Sequence, residues 1–273
     1  SVPQHSSGSR SSGAWFMTKL VAHKASFEVA GTSILRDVTV SLQPGELVAI
    51  LGPNGAGKTS LLRALMGLTK ISSGSAELNG VTCYEMAPQD RARLVSYLPQ
   101  RRPLAWPNRV IDVVALGRFA HGAALGRLNP EDAAAVADAI TACDLNKLAE
   151  RATTTLSGGE LARVHFARAI AAKTPLLVAD EPVAELDPRH QIRIADLLRH
   201  YVDDGGGALV VLHEIALAAR VADRLVWMKS GRIFAEGTPA ETLTSQMMED
   251  VYGVRAHVGN DEHGFDVRIE GTA

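Results

Sequence analysis

The sequence predicts an α/β fold built on a mainly parallel sheet, and two observations carry that prediction. Leu47-Val48-Ala49-Ile50-Leu51, Leu176-Leu177-Val178-Ala179 and Leu209-Val210-Val211-Leu212 are short, continuous apolar runs. Strands buried on both faces of a sheet read this way, whereas half-solvated strands alternate between apolar and polar residues. Helical stretches separate the runs, as the crossovers between parallel strands require. The runs give way to the loop after Gly52, to Asp180 and to His213. Ligands of open α/β sheets bind at the carboxyl ends of the strands, so these three ends predict one shared site.

The 273 residues suffice for one large α/β domain or a core with a smaller insertion. Residues 1–16 are rich in Ser and Gly without periodicity and read as a disordered leader or a cloning remnant, which leaves 17–273 as a single domain. Between about 102 and 154 the pattern changes: Pro103, Pro107 and Pro130 punctuate helical stretches such as 131–143, the mark of a helical insertion. No internal repeat is present in the sequence.

Composition narrows the function. With 46% hydrophobic and 21% charged residues the chain is globular, and a net charge of -2 supplies no field for a polyanion, so bulk nucleic-acid binding is not suggested. Cys83 and Cys143 lie far apart without a CxxC pair, so neither a disulfide framework nor a zinc site is indicated, and a reducing compartment fits. No apolar run reaches the roughly 18–20 residues that cross a bilayer, and no signal peptide pattern is seen. Any membrane role is played from outside the bilayer.

The strongest motif is Gly52-Pro53-Asn54-Gly55-Ala56-Gly57-Lys58-Thr59, a G-x-x-x-x-G-K-[ST] sequence placed between a strand and a helix whose apolar face is Leu61, Leu62, Leu65 and Met66. Its glycines let backbone N–H groups curl around phosphate oxygens, the helix N-terminus adds positive charge, and Lys58 reaches the outer phosphates. Thr59 is expected to ligate Mg²⁺ and Ser60 to touch the α-phosphate. This makes the core that of a P-loop NTPase. An apolar strand ending in Asp180-Glu181 supplies the acids such a core needs, Asp180 for Mg²⁺ and Glu181 to polarise the attacking water. Leu156-Ser157-Gly158-Gly159-Glu160 precedes a helix expected over 161–173. Ser157 and Glu160 form a capping box on any helix, but the two glycines cost helix propensity and suit a close backbone approach to a ligand.

In this order and spacing, GPNGAGKTS, LSGGE and LVADEP resemble the ATPase cassette of ABC transporters over about residues 19–255. The resemblance implies ATP and Mg²⁺, an N-terminal antiparallel β region, and a homodimer in which Ser157, Gly158 and Gly159 of one subunit close over the nucleotide held by the other. It implies that Gln100 senses Mg²⁺ and links the site to the insertion, that Asp187 lies across the dimer interface, and that His213 contacts the γ-phosphate beside Glu181. The remaining histidines, among them His5, His23, His165, His190 and His200, are expected to be structural or solvated. Two departures stand out: Val29 occupies the position where the family stacks an aromatic on adenine, with Phe27 two residues away, and Glu185 replaces a small residue before Asp187.

The family resemblance further implies a transmembrane permease, a periplasmic or surface substrate-binding protein acting indirectly, no nucleic-acid partner, and a peripheral location on the cytoplasmic face of the inner membrane. The alternative is a soluble ABC-type ATPase acting on nucleic acid or ribosomes. It is disfavoured because the stretch between Gln100 and Leu156 is too short for a long coiled coil and only one cassette is present. The segments 110–118, 186–191 and 251–254 resemble those of importers for iron siderophores, haem and cobalamin, so the cargo is expected to be an iron chelate, haem or cobalamin.

Overall fold

The computed structural model describes residues 17–100, 108–123, 127–261 and 264–273; the proposed leader and Pro103 and Pro107 lie outside the described residues. In chain order the elements are β1 (Leu20–Val29), β2 (Thr32–Leu42), β3 (Leu47–Leu51), α1 (Lys58–Leu65), β4 (Ser73–Leu78), β5 (Val81–Thr82), α2 (Pro88–Leu94) and β6 (Val95–Leu98). Then follow α3 (Val110–Ala115), α4 (Pro130–Ala142), α5 (Gly158–Ala171), β7 (Leu176–Asp180), α6 (Pro188–Asp203), β8 (Gly207–Val211) and α7 (Ile215–Val221). The remaining elements are β9 (Arg224–Lys229), β10 (Arg232–Gly237), α8 (Pro239–Thr242), α9 (Ser245–Tyr252), β11 (Val254–Asp261) and β12 (Gly264–Thr272).

The central sheet has six strands in the order β10-β9-β3-β8-β7-β6. All its pairs are parallel except the β10–β9 edge. The three apolar runs of the sequence are its inner strands β3, β7 and β8. Each divides its side chains between two cores: Leu47, Ala49 and Leu51 face one, Val48 and Ile50 the other, and the same period of two runs through β7, β8 and β9. One core is shared with α3 to α7. The other is closed by α1, whose Leu61, Leu62 and Leu65 are fully buried, and by a four-stranded antiparallel sheet in the order β2-β1-β4-β5. Met66 joins them. The hairpin β11–β12 lies over the first core through Val258, Phe265 and Val267.

The helical insertion is pinned where the chain enters and leaves it. Arg109 bridges Ala152, Thr153 N–H donates to the Asn108 carbonyl at 2.8 Å, and Val110 N–H donates to the Arg151 carbonyl at 3.0 Å. Inside, α3 and α4 share the core with α5. The 110–118 segment, which resembles that of importers for iron siderophores, haem and cobalamin, faces mostly inward. Val110, Val113 and Val114 are fully buried, and Gly117 lies so close to the Arg168 carbonyl of α5 that a Cβ there would sit 2.2 Å from it. Arg118, 3% exposed, pairs with Asp132, 2% exposed, at 2.7 Å. Its Nη1 donates to the carbonyls of Ala171 and Ala172, each at 3.2 Å, capping the end of α5.

Arg118 therefore holds the insertion to α5, and its removal would leave Asp132 buried and unpaired. Breaking a buried pair in this way costs about 3–5 kcal/mol, whereas replacing both charges with apolar groups is often near neutral. Arg118→Leu is expected to lose stability of that order in urea unfolding, and Arg118→Leu/Asp132→Leu to recover most of it.

Candidate active site

The phosphate loop begins where β3 ends. Gly57, at the N-cap of α1, adopts a left-handed φ of 96°, and a Cβ on it would lie 3.0 Å from the Ile34 carbonyl, so the turn into α1 demands glycine. Lys58, only 6% exposed, folds back over this loop: its ammonium donates to the carbonyls of Gly52 at 2.6 Å and Pro53 at 3.0 Å. Burial lowers its pKa, against the pull of Glu181 and Asp180, so the lysine is a desolvated charge already aimed at the loop's mouth.

The ends of β7 and β8 bring their polar residues to the same place. Thr59 Oγ1 donates to Asp180 Oδ1 at 3.3 Å. Asp180 is 1% exposed; burial raises its pKa, Thr59's hydrogen bond lowers it, and the Glu181 charge raises it again. Glu181 has a left-handed φ of 49°, a backbone state that costs a non-glycine residue roughly 1–2 kcal/mol. Both its oxygens are engaged: Oε1 meets His213 Nε2 at 2.5 Å, and Oε2 accepts from Gln100 Nε2 at 2.6 Å. Lys58, Thr59, Asp180, Glu181, Gln100 and His213 thus form one cluster, at the strand ends where the sequence places it.

Ser157, Gly158, Gly159 and Asp187 make a second group, and among the described residues no hydrogen bond joins it to the first. Ser157 caps α5, with its backbone N–H donating to Glu160 at 2.8 Å and its hydroxyl accepting from the Glu160 N–H at 3.3 Å. The helix therefore starts at Gly158, three residues earlier than the 161 expected, because the capping box takes both glycines into the first turn. Asp187 caps α6. Glu185 has a φ of 63°, which explains why a small residue suits that position.

Two contacts escape the sequence reading. His190, expected to be structural or solvated, makes structural contacts with this second group: its Nδ1 meets Asp187 Oδ1 at 2.8 Å, and its ring lies against Gly159. Tyr252, at the end of α9, is distant in sequence from the phosphate loop, yet its hydroxyl accepts from the Gly52 N–H. Burial pushes this phenol up to about 12 despite that hydrogen bond. Its ring stands edge-on to Trp227 of β9, with centroids 6.4 Å apart. No local signal marks such a long-range contact. As for the base, Phe27 is half-buried against the core below β1, while Val29 is 51% exposed at the hairpin end.

Comparison with known proteins gives the family. The ABC transporter family model matches residues 35–184, more than half of the chain. The chain belongs to this family. The cassette is 41% identical over 226 residues to the hemin import ATP-binding protein HmuV of Pseudomonas putida, covering 81% of this chain and 87% of that protein. It is 38% identical over 235 residues to the cobalamin import ATP-binding protein BtuD of Halobacterium salinarum, covering 86% of this chain and 58% of that protein. Among solved structures, the dimeric structure of a bacterial ABC transporter cassette shares its fold, with a TM-score of 0.70 at 24% identity over 80% of this chain and 98% of that one. The protein is an ATP-binding, ATP-hydrolysing cassette. Among the described residues no helix is long and apolar enough to cross a membrane.

Tyr252→Phe keeps the ring on Trp227 and removes only the acceptor for Gly52. A hydrogen bond of this kind contributes about 0.5–1.5 kcal/mol, or roughly a 2- to 12-fold change in an equilibrium constant. The expected outcome is an increase of that size in the KM for ATP with kcat retained, measured by steady-state ATP hydrolysis.

Proposed function

We propose that this cassette drives an importer of an iron chelate, haem or cobalamin, working as a homodimer on a transmembrane permease at the cytoplasmic face of the membrane. The similarity to hemin and cobalamin import ATP-binding proteins across most of the chain supports the cargo class. It also favours the importer over a soluble ATPase acting on nucleic acid or ribosomes. A groove between α2, the turn 116–121 and α5, lined by Leu68, Pro88, Leu116 and Phe119, supports a permease contact; Phe119 is 56% exposed there. The groove and Arg118 share the α5 helix, so a push on the insertion would be carried to its capped ends. In this reading residues 17–273 form one domain with the insertion at about 102–154, and a substrate-binding protein delivers the cargo to the permease.

The observation that carries the mechanism is the cluster at the ends of β3, β7 and β8. The loop Gly52-Pro53-Asn54-Gly55-Ala56-Gly57 wraps the phosphates, with backbone N–H groups supplied by Asn54, Gly55, Ala56 and Gly57 while Gly52 and Pro53 shape the turn; Lys58 neutralises the outer phosphates, and Ser60 meets the α-phosphate. Thr59 and Asp180 fit Mg²⁺, a hard cation that takes oxygen ligands and is held by one or two side chains together with substrate phosphates. Bound there, with Gln100 as a further sensor, the ion would neutralise charge developing on the phosphates. Glu181 is held at the site by His213 and Gln100; once ATP arrives, His213 turns to the γ-phosphate and the released carboxylate oxygen orients the attacking water. Ser157, Gly158, Gly159 and Asp187 complete the site of the partner subunit.

Glu181→Gln leaves Thr59 and Asp180 in place and removes the charge that polarises water. General-base loss costs about 10²- to 10⁴-fold in rate. The variant is expected to bind ATP, to hydrolyse it slower by that factor and to accumulate as an ATP-bound dimer in size-exclusion chromatography; near-wild-type turnover overturns the role given to Glu181. For cargo, cells lacking the cassette are expected to lose uptake of labelled haem, ferric siderophore or cobalamin and to keep that of an amino acid and a sugar. Unchanged uptake of all three metal chelates overturns the cargo class.

A further inference from the structure

Gly158 and Gly159 stand side by side at the start of α5 and have different surroundings. A Cβ on Gly158 would meet nothing within 4 Å, so that residue presents open backbone. A Cβ on Gly159 would lie 2.2 Å from Cδ2, 2.4 Å from Cγ and 2.5 Å from Nε2 of His190. Real Cβ atoms do not approach a ring that closely, so His190 occupies the space where a side chain at 159 would be.

The other edge of the same ring is fixed as well. Asp187 Oδ1 accepts from the His190 backbone N–H at 3.0 Å and lies 2.8 Å from His190 Nδ1. A carboxylate only accepts, so Nδ1 carries the proton in this contact. The donors from His190, with a further one from the Arg189 backbone, hold the Asp187 carboxyl below the usual range. The imidazole is thus wedged between the first turn of α5 and the capping residue of α6. It forms one wall of a polar hollow shared with Ser157, Glu160, Arg163, Arg189 and Arg193.

We propose that His190 is a positioning residue that locks the Ser157-Gly158-Gly159 turn and Asp187 into one rigid unit. These residues lie at the starts of two different helices, and each is held within its own helix by a local cap. The imidazole is the side chain that ties one start to the other, so the two present themselves to a partner subunit in a fixed relative geometry. The inference rests on the two-subunit reading above. It adds an intrasubunit contact at Gly159 to the role both glycines share, beside the open backbone of Gly158.

The test uses the full-length cassette and separates the two ideas. His190→Phe keeps a ring against Gly159 and loses the donor to Asp187; His190→Asn keeps a donor near the Nδ1 position and loses the ring. Displacing a positioned group by an ångström can cost about 10²-fold in rate. His190→Phe is therefore expected to lower kcat by about 10- to 100-fold, with KM for ATP and the thermal unfolding midpoint unchanged, because the phosphate loop is untouched. His190→Asn, which keeps the donor and loses the ring against Gly159, is expected to lower kcat as well, since the lock needs both contacts. Gly159→Ala is expected to lower kcat in the wild type by pushing the ring off Asp187, and to cost nothing further in a His190→Ala background. Wild-type kcat in His190→Phe, or the same fold loss from Gly159→Ala in both backgrounds, overturns the proposal. The dependence of wild-type specific activity on subunit concentration is read separately: a flat dependence overturns the two-subunit reading, whereas the interaction between positions 159 and 190 is judged within each subunit.

Discussion

A strand buried on both faces has no room for charge along its length, because each side chain points into one core or the other. In this cassette β3, β7 and β8 divide their residues between two apolar cores in strict alternation, and every one of their residues from Leu47 to Leu51 and from Gly207 to Val211 is buried. Polar chemistry is thereby confined to the strand ends. Because the three strands are parallel neighbours, those ends fall side by side. The phosphate loop, the two acids and His213 meet for that reason, although more than 150 residues separate Gly52 from His213.

The same constraint accounts for the strain at Glu181. Asp180 is still within β7 and almost fully buried, where it holds the Thr59 hydroxyl and is raised in pKa by that burial. The next residue has to leave the strand at once if its carboxylate is to reach His213 and Gln100. The left-handed backbone at Glu181 makes that turn in a single step, and the two short contacts to its oxygens offset the cost. A buried acid held by the Thr59 hydroxyl and a partly accessible acid held by His213 and Gln100 thus sit next to each other in sequence without sharing an environment.

What the sequence made legible follows from locality. Lys58, Thr59, Asp180, Glu181 and His213 are each adjacent to an apolar strand that announces itself, so their positions and their convergence could be read from pattern alone. Gln100 could be placed only by family resemblance, since a lone glutamine after a short strand carries no chemical signal. The contacts of His190 and Tyr252 were missed for a different reason. They are made in space, with Gly159 across a helix pair and with Gly52 across the sheet, and neither contact leaves a periodicity or spacing behind. The 110–118 segment was read by its resemblance to importers of iron siderophores, haem and cobalamin, with which the hemin and cobalamin import proteins among its relatives agree; what the sequence did not show is that most of its residues face inward, with a buried Arg118–Asp132 pair.

The two halves of the predicted site also differ in how far the chain satisfies them by itself. In the first half every charged group already has an intrachain partner: Lys58 on loop carbonyls, Asp180 on Thr59, Glu181 on His213 and Gln100. Such a site can bind phosphate by exchanging these contacts, so it is stable before the ligand arrives and poised to reorganise when it does. In the second half the polar groups of Ser157 and Asp187 are used in helix caps, which fix the backbone and turn outward the bare Gly158 and the start of α5. A helix start held rigidly with its N–H groups facing out is suited to receive an anion presented from elsewhere, and the phosphate loop of the same chain, bonded to its own cluster, is not joined to it. One half of the site is thus organised by hydrogen bonds among its own side chains, and the other by helix caps that leave its backbone open.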